Sequence, residues 1–169
     1  MCSSDLLSCG VVTLTERHGG DEISPETYDN MVQFVTSLLH DFEAEHNIRD
    51  AILVNKAHLL GTSGTVTTLA AVHLDLPRYD RSKVDGSWID VPALEMVAAG
   101  LRGMSFEQRA QNPCIRRARA DLVVAGCAIM DAITGMWSME RLRVADRGLR
   151  EGMLTRMMSA DRRENAEVL

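Results

Sequence analysis

Residues 58–71 read HLLGTSGTVTTLAA. An apolar run ending at Leu59-Leu60 enters Gly61, and from about Gly64 the apolar side chains Leu69, Ala70 and Val72 recur at helical spacing. That is a strand, a glycine turn and a helix running to about His73, the βα junction from which layered α/β domains are built. In such a junction GTSGT places backbone N–H groups and the positive end of a helix dipole together, which favours an anion. Glycine admits close approach of a phosphate, and Thr62, Ser63 and Thr65 add neutral donors. No lysine follows, so the stretch is not a P-loop, and G-x-x-G spacings are common. Taken alone it reads as a turn ahead of a phosphate site.

Outward from this junction the chain alternates between short apolar runs and helical patterns. Residues 11–14, VVTL, form a β-branched run that predicts a strand. Ser24 followed by Pro25 predicts a helix start, with serine as N-cap and proline where its missing N–H costs nothing. Tyr28, Met31, Val32, Val35, Leu38, Leu39 and Phe42 then give one apolar face, ending near His46-Asn47. Residues 51–60 hold two apolar clusters, of which at least the second predicts a strand. Residues 75–88, DLPRYDRSKVDGSW, are polar, without period, and read as loop.

Asp90 can cap the next helix, whose face is Leu94, Val97, Ala98 and Leu101. Ser105 and Gln108 predict a capping box for a short helix ended by Asn112-Pro113-Cys114. Residues 119–137 are apolar nearly all round apart from Asp121 and Asp131, which predicts a helix buried on most sides. Residues 141–145 suggest another strand, then DRGLREG turns into a last helix reaching about Met158, with a frayed polar tail at 159–169. Strands alternating with helices predict a largely parallel sheet. Three or four strands are few for so apolar a helix to cover.

Composition narrows the function classes. The chain has 169 residues, enough for one domain with a core, and its net charge of −6 argues against general nucleic-acid or membrane-surface binding. The nearest basic patch is Arg116, Arg117 and Arg119. No apolar run approaches the roughly 20 residues of a membrane span. Cys2, Cys9, Cys114 and Cys127 have no metal-ligand spacing, which argues for free thiols in a reducing cytoplasm and against a zinc site.

Two further stretches can meet a polyanion. In residues 144–154, VADRGLREGML, Asp146 can cap the helix, Gly148 relieves the turn, Arg147 and Arg150 can face an anion, and Glu151 can hold one of them. The plain reading is a solvated helix start with local salt bridges. In RARAD, residues 117–121, Arg119 can reach a ligand, pair with Asp121, or lay its stem on apolar surface. His58 and His73 flank the glycine loop, and a lone histidine is more often structural. Spacing alone supports no Ser/His/Asp arrangement, carboxylate pair or metal triad.

Taken together, LLGTSGTVTTLAA, YDRSKVDG, RARADLVVAG and VADRGLREGML resemble the exopolyphosphatase/guanosine pentaphosphate phosphohydrolase (Ppx/GppA) family in order and spacing, and CGVVTLTER resembles its earlier segment. The resemblance covers residues 8–154. It implies an α/β, ribonuclease H-like and actin-like fold of two lobes around a cleft, of which this chain is an incomplete second lobe. The first lobe, with the glutamate that activates water, and the second lobe's opening phosphate hairpin would lie upstream. The implied activity is removal of terminal phosphate from inorganic polyphosphate or guanosine pentaphosphate, usually with Mg2+. The resemblance leaves room for a homodimer.

Carried over by position, Gly61, Thr62, Ser63, Gly64 and Thr65 would line the cleft, and Arg119 of the Arg-Ala-Asp motif would contact phosphate or nucleotide. Asp146, Gly148, Arg150 and Gly152 match a closing motif of mainly structural role, with Arg147 beside it. Ala118 stands where the family commonly has glutamate. Residues 1–7 are expected to be adapter-like or a disordered polar N-terminus: MCSSDL fits a back-translation resembling a sequencing adapter. Residues 8–158 are the partial lobe, and residues 159–169 are a tail. The chain alone is expected to be inactive, with no catalytic residue and no metal ligand of its own. Two alternatives remain open: a non-enzymatic lobe that binds nucleotide, polyphosphate or a partner, and a fragment of an actin-like sugar or acetate kinase.

Overall fold

The structure, a computed structural model, describes residues 6–54 and 57–167, without the side chains of 163–167. Of residues 1–7, expected to be adapter-like or disordered, 1–5 lie outside the described residues. Nine α-helices and three strands are seen among those described: α1 (Val11–His18), α2 (Pro25–His46), α3 (Ile48–Leu53), β1 (Leu59–Gly61), α4 (Gly64–His73), α5 (Arg81–Val84), β2 (Trp88–Asp90), α6 (Val91–Arg102), α7 (Phe106–Gln111), α8 (Val123–Met136), β3 (Arg141–Val144) and α9 (Leu149–Glu167). A 3-10 turn, Arg117–Arg119, precedes α8.

The sheet has the order β1-β3-β2. β1 runs parallel to β3, with Leu60 beside Arg143, and β2 runs antiparallel, with Ile89 beside Leu142. It is therefore mixed rather than largely parallel. The stretch read as loop, residues 75–88, carries α5, where Asp80 caps by accepting from the Ser82 N–H at 2.9 Å, and its last residue, Trp88, opens the antiparallel strand. In a segment so polar, the alternation of Trp88, Ile89 and Asp90 is too short to register as a strand period.

The side chains of Ile89, Leu142 and Val144 are buried on one sheet face, and α4, α6 and α8 supply the core that meets it. α8 is buried almost all round, as its composition requires; its small residues let neighbours come close, and a Cβ at Gly126 would collide with Thr65 of α4. The apolar stripe Tyr28, Met31, Val35 and Leu39 of α2 is buried, and the Tyr28 hydroxyl donates to Asp131 Oδ2 of α8 at 2.6 Å. Ser24 caps α2 as its sequence predicts, accepting from the Thr27 N–H at 3.1 Å. The capping box of Ser105 and Gln108 is also present.

Two further corrections concern the ends. VVTL is helical, the first turn of α1: Leu14 is buried while Val12 is half exposed, a one-sided pattern that a strand in a sandwiched sheet would not give. β-branched residues disfavour helix only weakly, and packing overrides them. α9 does not stop near Met158 but continues to Glu167, through the stretch expected to fray.

Candidate functional site

Three segments distant in sequence meet around one cavity of about 560 Å3. Its walls are the start of α4 with Thr62, Gly64, Thr67 and Thr68; the approach to α8 with Arg116 and Arg119; and the start of α9 with Asp146, Gly148, Arg150 and Glu151. Tyr79, Cys114 and the apolar Pro113, Ile115 and Leu149 complete the lining. Most of the lining residues are polar or charged.

The α4 end is built from its own sequence. Ser63 is the N-cap, its hydroxyl accepting from the Val66 N–H at 3.3 Å. The N–H groups of Gly64 and Thr65 have no partner among the described residues, as the first turn of any helix leaves them. Against this end lies the guanidinium of Arg119, so close that a Cβ at Gly64 would collide with Nη1. Among the described residues Arg119 makes no ion pair, with Asp121 or any other acid. Its neighbour Arg117 differs: it forms a fork with Glu107, at 3.0 and 2.9 Å. Positive charge and unused donors thus converge on one point.

The α9 wall is held by the YDRSKVDG segment. Arg81 Nε lies 3.0 Å from Asp146 Oδ2, and Arg81 Nη2 donates to the Asp146 carbonyl at 2.6 Å. The Asp146 N–H donates to Asp85 Oδ1 at 2.9 Å. Asp146 therefore does not cap the last helix. Glu151 does, reaching back to accept from the Gly148 N–H at 2.8 Å, and that bond holds its carboxyl below the usual range. Burial raises the Tyr79 phenol above its usual value.

Of the residues singled out by sequence, Thr62, Gly64, Arg119, Asp146, Gly148 and Arg150 border this cavity. Ser63 and Thr65 face a second cavity of about 460 Å3, mainly apolar, which shares Gly64, Thr68 and Arg119 with the first. Gly61 lies in the sheet, its carbonyl accepting from the Ala145 N–H at 2.9 Å. Arg147 turns toward Asp85, 3.8 Å away. His58 sits beside Trp88, with ring centroids 6.2 Å apart, and lines neither cavity. His73 lines neither as well. Arg116, Tyr79, Thr67 and Thr68 were not predicted as site residues; only Arg116 stood out, in the basic patch.

Both carboxylates at the cavity are engaged, Asp146 by Arg81 and Glu151 by Gly148. Among the described residues no group of three His, Cys, Asp or Glu is arranged to hold a metal ion. No helix among the described residues is long and apolar enough to cross a membrane. The described cysteines, Cys9, Cys114 and Cys127, are free.

The Ppx/GppA phosphatase family profile matches residues 3–161, nearly the whole chain. The chain belongs to the Ppx/GppA phosphatase family. Solved structures agree. The Aquifex aeolicus PPX-GPPA enzyme is 26% identical with a TM-score of 0.74, over 88% of this chain and 47% of that one. An exopolyphosphatase-like protein is also 26% identical, with a TM-score of 0.76 over 86% and 47% of the two chains. An exopolyphosphatase from Cytophaga hutchinsonii shares the fold at 21% identity and a TM-score of 0.75, over 89% and 48%. No curated protein matches the chain. The chain spans about half the length of the solved Ppx/GppA structures it matches. Family membership sets aside the kinase reading.

Proposed function

We propose that this chain is the phosphate-binding wall of one lobe of an actin-like, ribonuclease H-like phosphohydrolase in the cytoplasm, acting on inorganic polyphosphate or guanosine pentaphosphate. One observation carries the reading: Arg119, the open N–H of Gly64 at the start of α4 and the start of α9 share a single cavity. Phosphoryl transfer to water needs the phosphate positioned and its charge neutralised. The Gly64 N–H would donate to a phosphate oxygen, the Thr62 hydroxyl would add a second donor, and Arg119 and Arg116 would balance charge.

Water activation falls to a group outside this chain, because Asp146 and Glu151 are already committed to structural bonds. Mg2+ would be held chiefly by the substrate's own phosphates. The same reading makes the chain a partner of the other half of an enzyme, and it turns over nothing by itself. A second reading, a non-enzymatic nucleotide-binding lobe, draws on the apolar cavity beside Arg119, which could take a base while its phosphates meet the α4 end.

Titration calorimetry with medium-chain polyphosphate tests the wall. Binding by the 169-residue chain is expected, and R119Q should weaken it at least about tenfold, the loss of one charge-assisted contact. Equal affinity for R119Q would overturn the site. A parallel phosphate-release assay should show no turnover, and sustained release would overturn the binding-wall reading. Guanosine pentaphosphate bound far more tightly than polyphosphate would favour the nucleotide lobe.

A further inference from the structure

We infer that Arg109 of α7 is a positioning residue that holds Arg119 at the cavity, an inference resting on the phosphate reading of that site. Arg109 is 2% exposed, yet among the described residues no carboxylate lies within ion-pair distance of it. Its guanidinium is spent on backbone carbonyls instead. Nε donates to Ala120 at 2.8 Å, Nη1 to Met104 at 2.6 Å, and Nη2 to Asp21 at 2.7 Å and Gly20 at 3.2 Å. A buried charge without a counter-ion is costly, and these carbonyl dipoles are what compensates it.

The three places tied together are the α1–α2 loop, the α6–α7 turn and the residue directly after Arg119. Ala120 is fully buried. Apart from the exposed Arg117–Glu107 fork, the turn carrying Arg119 is held by local bonds, the Arg119 N–H to the Arg116 carbonyl at 2.8 Å and the Leu122 N–H to the Arg119 carbonyl at 3.1 Å. Short 3-10 turns of this kind hold poorly alone. Arg109 supplies the buried tie, and the one that reaches the α1–α2 loop. Its own placement follows from the Ser105–Gln108 box that starts α7, so a local capping motif is coupled through one side chain to the cavity.

A planar fork with five donors can serve three divergent segments, and an ammonium cannot. R109K therefore keeps the charge and removes the geometry. In the full 169-residue chain, R109K should bind medium-chain polyphosphate about tenfold more weakly than wild type. The double variant R109K/R119Q should bind no more weakly than R119Q alone, because the first residue acts through the second. Amide hydrogen exchange at residues 117–122 should accelerate at least tenfold in R109K, while α8 keeps its protection.

Additive losses in the double variant would overturn the inference, as would unchanged exchange at 117–122. If the wild type binds no polyphosphate, the phosphate reading fails by itself, and the exchange result still decides what Arg109 holds. If R109K does not fold, Q108A serves, since it only loosens the start of α7. Faster exchange at 117–122 in Q108A supports the coupling, and exchange confined to α7 contradicts it.

Discussion

Gly64 is held to glycine by Arg119, not by its own backbone, because it stands at the first position of α4 where alanine is an ordinary residue. G64A should consequently leave stability within about 1 kcal/mol of wild type, since the far end of a flexible side chain can yield. Polyphosphate affinity should fall about tenfold or more as the guanidinium is pushed off the helix end. Urea unfolding and calorimetry on the same sample separate the two effects; a stability loss with intact binding would contradict this account. S63A does the reverse. It removes the α4 cap at a cost of about 1 kcal/mol, with a smaller effect on affinity. Sequence made the loop visible at this scale as a glycine turn capped into a helix, which by itself favours a plain turn over a phosphate site. It did not show which side of the loop each residue faces, and Ser63 and Thr65 turned out to face the apolar cavity. Arg109 was invisible too. An arginine in a short helix reads as surface until the carbonyls around it are known.

The pairing of α2 with α8 sets how stability responds to pH. Burial pushes the Asp131 carboxyl above its ordinary value, against the Tyr28 hydrogen bond and Arg102 that pull it down. A raised value means that the folded chain holds this proton more firmly than the unfolded one. Its contribution is complete below the ordinary aspartate pKa and is lost as pH rises through the folded value. D131N should flatten the decline of melting temperature on that rise and leave the chain at least as stable at neutral pH, since the amide oxygen still accepts from Tyr28. Glu43 has the opposite sign. The indole N–H of Trp137 donates to it at 2.6 Å and holds its carboxyl below the usual range, with help from Arg49. Its contribution is present above the ordinary glutamate pKa and is lost as pH falls through the lowered one, so E43Q should make acid unfolding less steep. A melting-temperature series from pH 3 to 8 checks both; identical profiles for wild type and D131N would refute the first.

The long helices were the legible elements, since α2, α4, α6 and α8 each carry more than two turns of pattern. VVTL and the segment after Asp75 were not. Four β-branched or apolar residues suit a strand and a helix turn equally, and only the burial of Leu14 against α8 decides for helix.

At the scale of the whole molecule, protection against exchange should follow burial. α8, together with Leu142 and Val144 of β3, should exchange only on global unfolding. α9, whose Met153, Leu154, Met157 and Met158 are all exposed, should exchange orders of magnitude faster. The cavity belongs to this scale as well. None of its three walls is a site alone, and each reads on its own as a turn or a salt-bridged helix start. Their convergence follows from strand order, because β1 and β3 are neighbours and so bring α4 and α9 together at one end of the sheet. Residue spacing carries no such information, and only the resemblance to a family put the segments in one site beforehand. The central claim is that this convergence binds phosphate. An amide chemical-shift titration of the 169-residue chain with medium-chain polyphosphate tests it most directly. Residues 62–65, Arg119 and residues 148–150 should shift together with one dissociation constant, and R119Q should raise that constant at least about tenfold. Shifts confined to other surfaces, or none at these positions, would contradict it.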